Sequence, residues 1–148
     1  MDKQKQQELI KLQRRYENMR KRSLSYSLSV PTFQQLYDKF KKCKAEGFLC
    51  YYCNREMQIV AEYPYGIVFS LDHMTALAQG GNNDLDNLVF CCVRCNLVKG
   101  TLNGDSWKKI IRAIQSEIPE WDIIMDDWFK SAHANKIERV KNEGGQNE

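Results

Sequence analysis

The sequence predicts an α+β fold, and three observations carry that expectation. Apolar residues recur at helical spacing near both ends of the 148 residues, β-favouring runs occupy the middle, and two C-x2-C pairs frame those runs. A hydrophobic content of 43% is enough for one modest core.

The first element is a basic helix over residues 2–22, where Leu9, Leu12, Tyr16 and Met19 form one stripe and Lys and Arg fill the other faces. Residues 23–30, SLSYSLSV, alternate Ser with apolar side chains and read as a short strand or an extended linker. Pro31 suits the first turn of a second helix, along which Phe33, Leu36, Tyr37, Phe40 and Cys43 form the apolar stripe. On that stripe Cys43 is core rather than ligand.

From Gln58 the chain reads QIVAEYPYGIVFSLDH, a β-hairpin signal that turns through residues 63–66 and ends at His73. TALAQGGNNDLDN is a loop by composition, NLVF leads into FCCVRCN, and a short helix follows from near Cys95 toward Lys99. Asp105 or Ser106 caps the next helix, with Trp107, Ile110, Ile111, Ile114 and Ile118 on one face. Pro119 opens a last helix whose predicted buried stripe is Trp121, Ile124, Trp128, Ala132 and Ile137. The expected organisation is therefore a basic helical arm and short helix over 1–46, a cysteine-framed core over 47–103, covering helices over 104–142 and a disordered tail over 143–148.

Net charge is only +3, but residues 1–44 hold 12 Lys+Arg against 4 Asp+Glu, so the basic end is where a polyanion would first be felt. The charged N-terminus has no signal-like apolar stretch, and no run approaches the roughly 20 apolar residues of a membrane span. A cytoplasmic protein with no membrane partner is expected.

The pairs CYYC (Cys50, Cys53) and CVRC (Cys92, Cys95) have the spacing of two knuckles that close one tetrahedral four-thiolate site. Zinc is the natural occupant, against the alternatives of a disulfide framework, an iron cluster or a redox dithiol. Of the adjacent Cys91 and Cys92, only Cys92 reproduces the first knuckle's spacing, and Cys91 then points the other way, into core. Such a zinc is structural, so any chemistry lies beside it.

Beside it runs LDHMTALAQGGNNDLDNLVFCCVRCNLVKG. Its Asp72-His73 pair, Gly80-Gly81 loop, Asn87-Leu88 pair, Cys92-x2-Cys95-Asn96 knuckle and following Lys99 resemble the zinc-bound, ββα-metal form of the HNH endonuclease motif. The spacings also fit: His73 and Asn87 stand 14 apart (87 − 73), and Asn87 and Asn96 stand 9 apart (96 − 87). Asn96 replaces the histidine of the motif's last letter, an HNN variant, and the upstream arrangement is similar to small phage and bacterial members, the mobile-element type.

The resemblance implies a ββα-metal core stapled by the four-cysteine zinc site and flanked by helices. It implies metal-dependent hydrolysis of double-stranded DNA, nicking or cutting, that leaves 5′-phosphate and 3′-hydroxyl ends. His73 is the expected general base, with an ordinary imidazole value near 6.5 that suits it to deprotonate water. Asp72 and the Asn96 carbonyl are hard oxygen donors for Mg²⁺ or Mn²⁺. Asn87 braces the loop beside His73. Lys99, with Arg94 as a weaker candidate, is the expected substrate-phosphate contact. Cutting both strands would take a homodimer or two visits.

Two other classes fit the same residues. One is a zinc-stapled nucleic-acid binding module without catalysis, whose basic N-terminal region supplies affinity. The other is a structural zinc domain that meets a protein partner through the Trp-rich C-terminal helices.

Overall fold

The computed structural model describes residues 1–60 and 67–131. The turn expected over 63–66, the tail over 143–148, and Ala132 and Ile137 of the last predicted stripe lie outside the described residues. The fold is a small α+β unit: α1 (Lys3–Leu24), α2 (Phe33–Ala45), β1 (Phe69–His73), β2 (Leu88–Cys92), α3 (Val93–Lys99), α4 (Gly104–Glu117) and a further helix, α5, over 121–131.

Helix α1 starts where the Asp2 carboxylate accepts from the Gln4 backbone N–H, and it buries Leu12, Met19 and Ser23. It runs through Leu24, so the Ser-alternating segment contributes its first two residues to the helix and the rest forms a turn, with neither strand nor long linker. Pro31 lies just outside α2, because Thr32 is the N-cap and forms a reciprocal capping box with Gln35. Leu36 and Phe40 are the residues α2 buries fully.

Within the described residues the arm that starts at Gln58 forms no ladder with β1, and the sheet is built from a more distant pairing. β1 pairs antiparallel with β2, in the register Phe69 to Cys92 through His73 to Leu88. Gln58 meets Val68 only as an isolated parallel bridge. The reason is non-local. LVFCC is buried along its whole length, as is FSLDH, and pairing them seats Cys92 by the first knuckle. Packing on both faces favours this long-range pairing.

The core centres on Phe40, Phe48, Phe69 and Phe90, whose ring centroids lie 5.5–6.3 Å apart in tilted and edge-on contacts. Asn103 caps α4, in place of the expected Asp105 or Ser106, and accepts from both their backbone N–H groups. Trp107 and Ile111 are buried as predicted, but Ile110 and Ile118 are exposed, so the apolar face is narrower than the pattern suggested.

The stripe of α5 is shifted as well. Ile124 and Trp128 are exposed, while Phe129 is buried and Trp121 and Met125 are half-buried. In this orientation Asp122 pairs with Arg55 at 3.0 Å, Asp126 pairs with Arg94, and the Arg94 guanidinium lies over the Phe129 ring. The acidic residues of the helix thus face the arginines beside the knuckles. Among the described residues, no helix is long and apolar enough to cross a membrane.

Candidate metal centre and nuclease site

The first knuckle is a tight loop closed by the Leu49–Glu56 bridge, and Asn54, after its second cysteine, sits at φ 63°. Asn tolerates that left-handed conformation better than most side chains. The second knuckle joins β2 to α3, with Cys92 as the N-cap of α3. Backbone N–H groups point at the sulfurs: Cys92 N donates to Cys50 Sγ at 3.2 Å, and Cys95 N to Cys92 Sγ at 3.4 Å.

The ligand atoms of Cys50, Cys53, Cys92 and Cys95 all lie within 4.8 Å of one another and are buried. A tetrahedron with zinc–sulfur distances of about 2.3 Å has edges of about 3.8 Å. The Cys53 and Cys92 sulfurs are 3.9 Å apart, so this four-thiol pocket fits zinc. Hydrogen bonds from the other thiols hold Cys50 far below its ordinary value, and beside it Cys92 and Cys95 are pushed far above theirs. All four would ionise together only around a cation. Cys91 stands apart as expected, its thiol buried against Ser70 and pushed up by burial.

The C-terminal helices clasp the knuckles from outside. Arg112 Nε donates to Tyr52 O at 2.7 Å, and Gln115 Nε2 donates to Cys53 O at 2.9 Å. Carbonyls of a tight knuckle have no sheet partner, and these side chains satisfy them.

A cleft of about 440 Å³ opens at the end of β1, lined by Asp72, His73 and Asn96 together with Arg22 and Tyr26. Asp72 lies beside β2 and under α3. Its Oδ2 accepts from the Tyr52 hydroxyl at 2.7 Å and pairs with Lys99 Nζ at 3.2 Å, while Oδ1 has no hydrogen-bond partner among the described residues. Tyr52 is fully buried between the two cysteines of the first knuckle, and burial together with Asp72 pushes its phenol well up, so it stays a donor. One side chain thus connects the zinc loop to the cleft.

Asn96 is oriented by Ser70. The Ser70 hydroxyl donates to Cys91 O at 3.0 Å, so it accepts from Asn96 Nδ2 at 3.1 Å, and the Asn96 carbonyl oxygen is left unpartnered among the described residues. Two hard oxygens, Asp72 Oδ1 and Asn96 Oδ1, are therefore available in one cleft. This donor set suits a hydrated Mg²⁺ or Mn²⁺.

His73 is buried, with Nε2 2.8 Å from Asn83 Oδ1. The Asn83 amide donates to Ser23 Oγ at 2.9 Å and to Ser29 O at 3.0 Å, so its oxygen must face the imidazole. His73 consequently carries its proton on Nε2, leaving the Nδ1 lone pair as the acceptor. Burial holds His73 below the ordinary imidazole range, the nearby Arg22 cation acts in the same direction, and the Asn83 hydrogen bond opposes them. It is neutral at pH 7.

Asn87 clamps the loop after His73: it accepts from Thr75 N at 2.9 Å and donates to Thr75 O at 3.1 Å and Asn82 O at 2.7 Å. Gly81 is required in the same loop, because a Cβ there would lie 1.9 Å from Thr75 O.

The two expected phosphate contacts are placed elsewhere. The Lys99 side chain is 0% exposed and donates to Asp72 and to the carbonyls of His73 and Gly100. Arg94 is committed to Asp126 and Phe129. Sequence reasoning missed Tyr52, Ser70, Asn83 and Ser23. Only Asn83 carried a visible signal, as a second Asn in the GGNN loop.

A two-stranded antiparallel ribbon followed by a short helix, stapled by four cysteines, defines the class of zinc-bound ββα-metal nuclease domains. Residues 50–102 match the family model described as HNH endonuclease, so the chain carries an HNH endonuclease domain over its zinc site and cleft. No curated protein matches the chain.

Proposed function

We propose that the protein is an endonuclease that hydrolyses DNA phosphodiester bonds at the Asp72–His73–Asn96 cleft and leaves 5′-phosphate and 3′-hydroxyl ends. The reading rests on one observation above all: among the described residues, a neutral imidazole with an unpartnered Nδ1 shares its cleft with two unpartnered hard oxygens, within a nuclease domain.

His73 takes the proton of the attacking water at Nδ1. Asn83 holds the ring by its Nε2–H, fixing tautomer and direction together. General-base help of this kind contributes roughly 10²- to 10⁴-fold. Asn87 fixes the loop that follows, so the imidazole does not swing away from the water.

Asp72 Oδ1 and Asn96 Oδ1 would hold a divalent cation, Mg²⁺ or Mn²⁺, which when bound neutralises charge on the phosphate and on the leaving oxygen. Lys99 and Tyr52 both engage Oδ2 of Asp72, which turns the other carboxylate oxygen toward the cleft. Cys92 caps α3 and Asn96 lies one turn along it, so the cysteines that would hold zinc fix the start of the helix that carries Asn96. A single cleft serves one strand at a time, so cutting both strands requires two copies or two visits.

The test is to incubate supercoiled plasmid with zinc-loaded protein and Mg²⁺ or Mn²⁺, beside His73→Ala with its zinc content verified. The wild type converts plasmid to nicked or linear form and the variant is slower by at least about a hundredfold. Plasmid binding with equal inertness of both proteins would instead assign a non-catalytic binding module.

A further inference from the structure

The cations that the motif offered for phosphate binding are turned inward, which raises the question of what meets the polyanion. We infer that the last three turns of α1 form a phosphate-binding track that leads one nucleic-acid strand into the catalytic cleft, with Arg22 at its mouth. The inference rests on the nuclease reading for its ligand class, and on the following geometry for its place.

Arg15, Asn18, Lys21 and Arg22 line a second cleft of about 450 Å³ together with Leu71 and Asn96. Arg22 and Asn96 also line the catalytic cleft, so the two grooves are continuous. Arg15, Asn18 and Arg22 stand at i, i+3 and i+7, on the face of the helix that lines this cleft. Arg15 is tied down, its guanidinium donating to Phe69 O at 3.2 Å and lying over the Phe69 ring. Lys21 and Arg22 are exposed, and their side chains make no hydrogen bond or ion pair among the described residues.

The track is anchored to the catalytic base. Ser23, directly after Arg22, is 1% exposed and accepts from Asn83, whose oxygen holds His73. Arg22 therefore has a fixed origin relative to the imidazole, although its guanidinium is free to turn. From Arg15 to Arg22 the helix advances about 10 Å, at about 1.5 Å per residue. At about 3.4 Å of axis per nucleotide along one strand, that length spans about three phosphates. The excess of basic residues before residue 45 then has a defined point of contact.

The test measures binding of a fluorescently labelled short DNA duplex to full-length protein across a salt series, without added divalent ion. Arg22→Ala and Lys21→Ala each lower the slope of log K against log salt by about one, as loss of one phosphate contact requires. Arg22→Ala weakens binding on the order of tenfold, and Arg22→Lys restores part of it. The double variant Lys3→Ala, Lys5→Ala, at the far end of the same helix, keeps more of the wild-type slope than either.

Slopes unchanged by Arg22→Ala and Lys21→Ala, with plasmid cleavage intact in the wild type, overturn the track and leave the nuclease reading standing. Slopes that fall as stated, with a wild type that cuts nothing, overturn the nuclease reading and leave the track. An equal or larger loss in the Lys3, Lys5 variant overturns the placement at the C-terminal turns.

Discussion

Lys99→Met separates two roles for one residue, because it removes the ammonium and keeps most of the stem. The Lys99 side chain is 0% exposed, with Nζ 3.2 Å from Asp72 Oδ2 and 3.2 Å from the carbonyl oxygens of His73 and Gly100. Removing one partner of a buried pair costs about 3–5 kcal/mol, since the other charge is left uncompensated. Asp72 keeps its Tyr52 hydrogen bond and a side chain 10% exposed, which places the cost near the lower end, about 3 kcal/mol.

At about 2–4 °C per kcal/mol for a chain of this size, the melting temperature of the zinc-loaded protein falls by about 6–12 °C. Far-UV circular dichroism on heating reads the stability, and duplex binding across a salt series reads the phosphate contact. The expected pair of results is a large fall in Tm with an unchanged salt slope. A Tm within about 1 °C of wild type, joined to a slope smaller by about one, is the behaviour of a surface phosphate contact and refutes the buried-pair assignment.

Three further outcomes follow from the same geometry. Asn83→Ala removes the acceptor that fixes the His73 tautomer and should lower kcat by roughly 10- to 100-fold; nitrogen-15 NMR of His73 should change from one tautomer to a mixture, and an unaltered spectrum counts against the assignment. Cys53→Ser or Cys95→Ser should release zinc and loosen the fold, while Cys91→Ser keeps the metal; equal zinc loss in Cys91→Ser, measured by metal analysis, would mean the wrong cysteine is named.

Because burial lowers the His73 value, the folded state disfavours the imidazolium. This group's contribution to stability is present above about pH 6.5 and is lost as pH falls through the lowered folded value. The acid limb of kcat/KM should accordingly have its midpoint below about pH 6.5, with zinc retention checked at each pH, and a midpoint above that value argues against a buried, neutral base.

Much of the fold was legible because its signals are local. The stripe of Leu12 and Met19 and that of Leu36 and Phe40 follow helical period, and both pairs are buried. The exposed Ile124 and Trp128 were misread for a physical reason: periodicity locates a stripe but not its rotation, which depends on what the helix meets in the fold, here Arg55 and Arg94 beside Phe129. The turn read at residues 63–66 lies outside the described residues, whereas the strand pairing that builds the sheet is made across the loop of residues 74–87.

The sequence by itself determined the four clustered cysteines, the exclusion of Cys91 and three residues of the cleft, Asp72, His73 and Asn96. Knuckle spacing and strand alternation are set by covalent geometry within a few residues. Only the tertiary structure decided which groups hold those residues in place. Tyr52 reaches Asp72 from 20 residues away, Asn96 is turned by Ser70 from 26 away, and Asn83 joins His73 to Ser23 across 60. It also turned Lys99 inward, toward a buried carboxylate, and left Lys21 and Arg22 outward. A lysine near a motif looks the same in sequence whether it meets solvent or a buried aspartate. What separates the two is desolvation, and that is settled only when distant segments close around the side chain.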